Sequence, residues 1–136
     1  MAKQVKEVLD RLYNLRFESR YLERLEELTD ELRQCAEARF AVEPVLRFIE
    51  AHPDQDLGAP GPLVHFLEEF YNGGYEQLLL ESVARKATAL NLWMLNRVIN
   101  GSEGTEKDSY VNAMRAVAVD ERANPELRDL AREFLS

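Results

Sequence analysis

Apolar residues recur along most of the chain at steps of three and four, which is the spacing of one face of an α-helix. In the first segment, over residues 2–16, the recurring positions are Val5, Val8, Leu9, Leu12 and Leu15. No segment alternates apolar and polar residues over the length of a β-strand. The pattern therefore predicts an all-α fold of seven or eight short antiparallel helices.

Capping and turn residues predict several helix ends. Pro62 and Pro125 suit the first position of a helix, where the missing N–H group costs no hydrogen bond. Thr88 is a predicted N-cap, and Thr105 with Asp108 resembles a capping box. These residues divide the second half of the chain into short helices joined by short loops.

Two alternatives of architecture stay open from the sequence alone. Ser19 is a candidate N-cap for a second helix, but neither Gly nor Pro separates that helix from the first, so the two alternatively form one long helix. The helices form either a degenerate HEAT-like stack or a compact irregular bundle. At 136 residues the chain is expected to fold as a single domain over 1–136.

The segment over residues 88–100 is apolar nearly all round and contains Trp93, the only tryptophan. A helix without a clear polar face is usually central in its domain. The sequence therefore predicts that Trp93 is largely buried.

Composition and charge narrow the class of partner. Apolar residues make up 46% of the chain and charged residues 31%, which is a globular composition. The net charge is −8, from 25 acidic and 17 basic residues. This balance argues against binding to nucleic acid or to an anionic membrane surface, and it favours a basic protein partner. With no signal-peptide core and no long apolar run, a cytoplasmic location is expected.

The residue types that carry chemistry are sparse. Cys35 cannot form an internal disulfide, and its apolar neighbours predict a buried thiol. His52, His65 and one cysteine are too few for a zinc site. No nucleophile elbow, phosphate-binding loop or dinucleotide fingerprint is present. We therefore expect no metal, no cofactor and no catalytic residues, that is, a protein that is not an enzyme.

One long window lacks positive charge. From Phe48 to Ala84 there is no Lys or Arg, but there are seven acids, so the window presents either a solvated face or a negative field that steers a basic partner. Two tyrosines flank a double glycine among these acids, where they either cover the edge of the core or anchor a partner. The candidate partner-binding residues are Asp54, Asp56, Glu68, Glu69, Tyr71, Tyr75 and Glu76.

The segments LGAPGPLVHFLEEF, LLLESVARKAT and LWMLNRVIN, within residues 57–100, resemble small all-α immunity proteins of bacterial polymorphic-toxin systems. The resemblance implies a cytoplasmic inhibitor that binds one toxin domain, here a basic one, and occludes its active site. The alternative is a HEAT-like scaffold or adaptor unrelated to toxins. A small helical enzyme or ligand carrier is a third class.

Overall fold

A computed structural model describes residues 2–58 and 60–136. Within these ranges there are eight α-helices, one 3₁₀ helix (Ala38–Ala41) and no β-strand, which confirms the all-α class and the expected helix count. The α-helices are α1 (Ala2–Tyr13), α2 (Tyr21–Gln34), α3 (Val42–Ala51), α4 (Pro62–Glu68), α5 (Tyr75–Arg85), α6 (Ala89–Asn100), α7 (Gly104–Ala118) and α8 (Pro125–Leu135).

The first two helices are separate. Arg20, the residue before α2, adopts a left-handed conformation with φ 67°, and no side chain caps the helix. The prediction of Ser19 as N-cap was therefore wrong. Aromatic packing holds the link instead, because the ring of Phe17 lies 5.2 Å from Tyr21 and 6.3 Å from Phe48 between centroids. An aromatic contact thus accompanies the break between the two helices, where the sequence shows no Gly or Pro.

Local capping chemistry explains most of the later helix starts. Thr88 accepts a hydrogen bond from the Asn91 N–H group at 3.1 Å, and Pro62 and Pro125 occupy first-turn positions, as predicted. The capping box expected at Thr105 is wrong. The helix begins two residues earlier than that cap implies, at Gly104, and no side-chain hydrogen bond caps it.

Packing divides the described chain after Tyr75 into two compact units, which we call the first unit (residues up to Tyr75) and the second unit (Glu76–Ser136). Each unit is a small helical bundle with its own buried residues. The single domain over 1–136 stays a prediction.

In the first unit, α2 packs against both α1 and α4, and the 3₁₀ helix packs against α1, α2 and α3. Three aromatic side chains are fully buried in it, namely those of Phe48, Phe66 and Tyr75. Burial of large aromatic side chains contributes strongly to stability, so these residues hold the unit together.

In the second unit, α7 packs against α6 and α8, and α6 also contacts α8. Its fully buried large apolar side chains are Leu79, Leu92, Met94, Leu95 and Met114.

Trp93 is largely covered, as predicted, but it is not fully buried. Arg97 follows one helical turn later, and its guanidinium carbon lies 4.9 Å from the centre of the indole ring. The two side chains share a face of α6, while Leu92, Met94 and Leu95 point into the core. The indole keeps some exposure because residues on the neighbouring faces of α6 are the ones that fill the core.

Candidate protein-binding face

Asp54 and Asp56 lie in the loop between α3 and α4, and both are exposed. The Asp56 carboxylate accepts a hydrogen bond from the Gly58 N–H group at 2.9 Å, and its carbonyl accepts one from the Tyr21 hydroxyl at 2.6 Å. Asp56 therefore shapes the loop, whereas the exposed Asp54 is available to a partner.

The Gly–Pro turn in the same loop is structural. Gly58 has φ +87°, and a Cβ atom at Gly61 would collide with the Leu57 carbonyl oxygen. Leu57 itself is buried and anchors the loop on the first unit. The glycines thus allow a tight reversal that sets the start of α4 at Pro62.

A second tight turn follows α4. The Phe70 N–H group bonds to the Leu67 carbonyl at 3.0 Å, and the Gly73 N–H group bonds to the Phe70 carbonyl at 2.9 Å. Asn72 and Gly74 then adopt positive φ angles of 64° and 99°. These turns carry Tyr71 to the surface.

Tyr71 and Tyr75 have different environments. Tyr71 is 40% exposed, and its hydroxyl donates to the Glu68 carboxylate at 2.9 Å. Tyr75 is fully buried, and its ring meets the Tyr71 ring edge-on at 5.5 Å between centroids. Tyr75 therefore supports Tyr71 from below, and Tyr71 is the tyrosine that a partner can reach.

Arg33 of α2 reaches into the acidic window. Its guanidinium forms an ion pair with Glu69, the residue after α4, and a second one with Asp30 at 2.7 Å. The window from Phe48 to Ala84 lacks positive charge in sequence, but the fold supplies an arginine from 36 residues away. The same contact joins the acidic side of α2 to the end of α4.

Four acids lie near Arg33 or on the same side of α2. On α2, positions 23, 26, 30 and 33 follow one another at steps of three and four, so they share one side of the helix. Glu23 and Glu26 are exposed there. We call this surface the α2–α4 acidic face and define it as Glu23, Glu26, Asp30, Arg33 and Glu69.

The next side of α2 is electrically balanced. Glu31 accepts two hydrogen bonds from the Arg11 guanidinium, at 2.6 and 3.0 Å, and Glu27 pairs with Arg24 at 2.9 Å. Hydrogen bonding from Arg11 lowers the pKa of the Glu31 carboxyl group. Only the side of α2 that faces α4 therefore keeps an excess of negative charge.

The remaining acids of the window have different environments. Glu50 is buried, and Glu81 accepts a hydrogen bond from Gln77 at 3.2 Å in the second unit. Glu76 is half-buried at the start of that unit, where its charge adds to the effect of burial in raising the pKa of Tyr110. The seven candidate residues are thus distributed over a loop, a turn and the second unit.

An aromatic cluster in the first unit was not anticipated. The His52 ring lies 4.8 Å from Phe17 and 4.5 Å from Phe48 between centroids, and burial lowers the pKa of His52. Tyr13 also meets Phe48, at 6.0 Å, and its hydroxyl donates to the Pro44 carbonyl at 2.5 Å. Phe17 and His52 are 35 positions apart, so helical periodicity carries no signal of this cluster.

The side chains that could react or bind a metal ion have structural roles or lie apart from one another. Cys35 is buried, as predicted, and its thiol donates to the Glu31 carbonyl at 3.4 Å. Among the described residues, no three His, Cys, Asp or Glu side chains are grouped to hold a metal ion. None of the described helices has both the length and the apolar character needed to cross a membrane.

Comparison of the chain with protein-family models, with curated proteins and with solved structures gives no match.

Proposed function

We propose that this chain is a non-catalytic protein-binding module that binds a basic partner through the α2–α4 acidic face, with Tyr71 as an anchor beside it. The observation that carries the proposal is the double ion pair of Arg33 with Asp30 and Glu69, because it makes one surface from two acidic segments. Four acids against one arginine leave that surface strongly negative.

The chemistry of the surface suits a basic protein. Exposed charges at the edge of an interface act mainly on the rate of association and on partner choice, because they steer encounter. Tyrosine is enriched among the residues that carry binding energy, and Tyr71 offers an exposed ring held by Glu68 and Tyr75. The face therefore combines steering charge with an aromatic contact.

The specific role that we propose is that of a cytoplasmic immunity protein. The resemblance of residues 57–100 to small helical immunity proteins supports it, since such proteins bind one toxin domain and occlude its active site. Toxins that act on nucleic acid present basic faces to their substrates, which a negative surface complements. Inhibition by occlusion requires no catalytic group from this chain.

The test is affinity capture from the native cell, with two charge-reversal variants of this chain as matched baits. The captured partner is then tested for toxicity and for inhibition by this chain. The first bait carries Glu23→Lys and Glu26→Lys, and the control bait carries Glu106→Lys and Glu133→Lys, which are exposed acids of the second unit. Both pairs shift the net charge by the same amount from −8. We expect the control bait to retain a basic partner and the first bait to lose it.

The captured partner is then expressed with the chain in a bacterial host. Growth that depends on the wild-type chain and fails with the Glu23→Lys, Glu26→Lys variant supports immunity. Equal capture by both baits contradicts the acidic face as the binding surface. A partner that binds the face but is not toxic contradicts the immunity role and leaves a binding module.

The alternative function is a HEAT-like scaffold or adaptor. The observation that favours it is the division into two compact units, since a scaffold uses separate surfaces to hold separate partners. The scaffold would be favoured over the immunity protein if the chain captures two partners and inhibits neither. Variants of one unit should then abolish capture of one partner, and variants of the other unit capture of the second.

The sequence-based candidates outside the α2–α4 acidic face need their own variants. Asp54→Lys tests the loop directly, because the Asp54 side chain is exposed. Tyr71→Ala tests the aromatic anchor and is expected to weaken binding by roughly 1 kcal/mol or more if Tyr71 is a principal contact. Substitutions of Asp56 or Tyr75 do not isolate recognition, because these residues also hold the fold.

A further inference from the structure

The second unit contains an open groove of about 810 Å³ between α5, the end of α7 and the start of α8. Its wall is mainly aliphatic and includes Leu80, Val83, Val117 and Leu127. At its edge Val119 is 75% exposed. An exposed aliphatic groove of this size is a surface from which docking of another apolar surface would remove water.

Three basic residues also belong to the groove lining. Arg85, Lys86 and Arg122 line the groove with one acid, Asp120. Asp120 is engaged locally, because its carboxylate accepts hydrogen bonds from the Arg122 backbone N–H group at 2.9 Å and from the Arg122 Nε atom at 3.3 Å. The groove thus has a positive edge in a chain whose net charge is −8.

A buried hydrogen-bond network fixes the basic side of the groove. The Asn91 side-chain amide donates to the Lys86 carbonyl at 2.9 Å and to the Ser82 hydroxyl at 3.2 Å. The Asn91 side-chain oxygen, Oδ1, accepts a hydrogen bond from the Thr88 N–H group at 2.7 Å. The backbone that carries Lys86 is therefore held before any ligand arrives, which reduces the entropy cost of binding.

The lining favours a helix over a small molecule. Small-molecule sites usually place a few polar groups inside an enclosed pocket, whereas here the charged side chains lie around an open groove. Five of the fifteen lining residues are alanines, whose short side chains leave room for a helix backbone to approach. A helix that docks in a groove presents apolar residues at steps of three, four and seven.

We propose that this groove binds an acidic amphipathic helix of a partner protein. Aliphatic side chains of that helix pack between α5, α7 and α8, and its flanking carboxylates meet Lys86, Arg85 and Arg122. The charge of the edge is opposite to that of the α2–α4 acidic face, so the two surfaces select different chemistry. The inference does not depend on the function proposed for the acidic face.

The test uses a synthetic capped peptide with leucines at helical positions i, i+3, i+7 and i+10 and glutamates on both sides of that stripe. Binding to the ¹⁵N-labelled full chain is followed by NMR near physiological salt, where the Debye length is about 8 Å. At that screening the basic edge acts on the bound peptide, while distant acids of the chain contribute little. Shift changes are expected at Ala84, Ala116 and Ala123.

Three variants separate the contributions. Lys86→Glu with Arg122→Glu is expected to weaken peptide binding at least tenfold, because both edge charges become repulsive. Ala116→Trp fills the groove at an exposed position of α7 and is expected to weaken it similarly. The matched control, Lys107→Glu with Arg132→Glu, alters exposed bases of the same unit outside the groove lining and is expected to change binding by less than twofold.

Several outcomes overturn the proposal. They are absence of binding by the wild-type chain, equal binding of a peptide with the leucines scrambled around the helix, and equal weakening by the control variant. Self-association in ultracentrifugation that Ala116→Trp abolishes would identify a second copy as the occupant instead. Displacement of the peptide by sodium laurate at a lower concentration than the peptide itself would identify a lipid-like ligand.

Discussion

The two compact units bury their cores with different side chains. The first unit has three fully buried aromatic residues, whereas the second unit is filled by leucine and methionine. All three aromatic side chains of the second unit are only half-buried, namely Trp93, Tyr110 and Phe134.

The units also differ in the polar contacts that join their elements. In the first unit, exposed arginines link helices, as Arg11 links α1 to Glu31 of α2. In the second unit, the buried Asn91 holds α5, the following turn and α6 together. Exposed ion pairs contribute about 0–1 kcal/mol each, whereas an unsatisfied buried polar group costs about 1–3 kcal/mol. The comparison teaches that the charged surface of the first unit tolerates substitution, while the polar network of the second unit does not.

The largest expected effect concerns the aromatic core of the first unit. Phe48 is fully buried and contacts the rings of Tyr13, Phe17 and His52. Phe48→Ala should lower the free energy of unfolding by about 3–5 kcal/mol, measured by urea denaturation, because it leaves a cavity among those rings. Phe40→Ala is the control, since Phe40 is 53% exposed and its loss should cost about 1 kcal/mol or less. Similar values for the two variants would show that the aromatic cluster does not stabilise the unit.

The second effect concerns the buried network of the second unit. Asn91→Ala removes at once the hydrogen bonds between the Asn91 side chain and the Thr88 N–H group, the Ser82 hydroxyl and the Lys86 carbonyl. We expect a loss of about 2–3 kcal/mol in the free energy of unfolding. Asn112→Ala, on the exposed face of α7, should stay within about 0.5 kcal/mol of wild type. A change below about 0.5 kcal/mol for Asn91→Ala would show that the polar network of the second unit tolerates substitution as well as the charged surface of the first unit does.

Much of the fold was predictable, because helical periodicity and helix caps act over a few residues. Pro62, Thr88 and Pro125 predict helix starts that the structure confirms. The contacts that bring distant segments together were not predictable. The Arg33–Glu69 pair and the Tyr21–Asp56 hydrogen bond join residues 36 and 35 positions apart. No local pattern encodes such contacts, because they depend on how helices pack.

In the candidate site, too, local features could be predicted from the sequence, whereas contacts between distant segments could not. The acids of the window single out Glu68 and Glu69 beside Tyr71, and these residues lie at the end of α4 and in the turn after it. Only the packing of α2 against α4 joins the acids of α2 to that turn. Tyr75 is an aromatic residue in a suitable sequence context, but the fold buries it completely. Exposure is a property of packing, so the sequence could not distinguish Tyr71 from Tyr75.

A third effect concerns Trp93, whose half-burial distinguishes the second unit from the first. Trp93→Ala should lower the free energy of unfolding by about 1–2 kcal/mol, less than the 3–5 kcal/mol expected for a fully buried aromatic residue. Part of that loss is the contact with Arg97, worth about 0.5–1 kcal/mol at a partly exposed site. Urea denaturation measures the change, and Trp93→Phe should recover part of it. A loss above about 3 kcal/mol would place the indole in the core after all.

The smallest effect concerns pH and acts on the first unit, because both histidines of the chain belong to it. Burial lowers the pKa of His52 below its ordinary value of 6.5. As the pH falls through that value, the unfolded chain takes up a proton at this position before the folded chain does. The free energy of unfolding should therefore be largest above about pH 6.5 and fall as the solution is acidified, until the pH reaches the lowered pKa of folded His52.

The pH window isolates this group from the acids. Glu31 also has a lowered pKa because of Arg11, but its contribution is lost only below its unfolded value of 4.5. Urea denaturation between pH 8 and pH 5 should thus report mainly on histidine, and His52→Phe keeps an aromatic ring against Phe17 and Phe48 without a titrating group. The variant should show a flatter pH dependence than wild type, and His65 is present in both proteins, so its contribution cancels. Identical slopes would mean that the aromatic cluster opens to water often enough for His52 to titrate as it does in the unfolded chain.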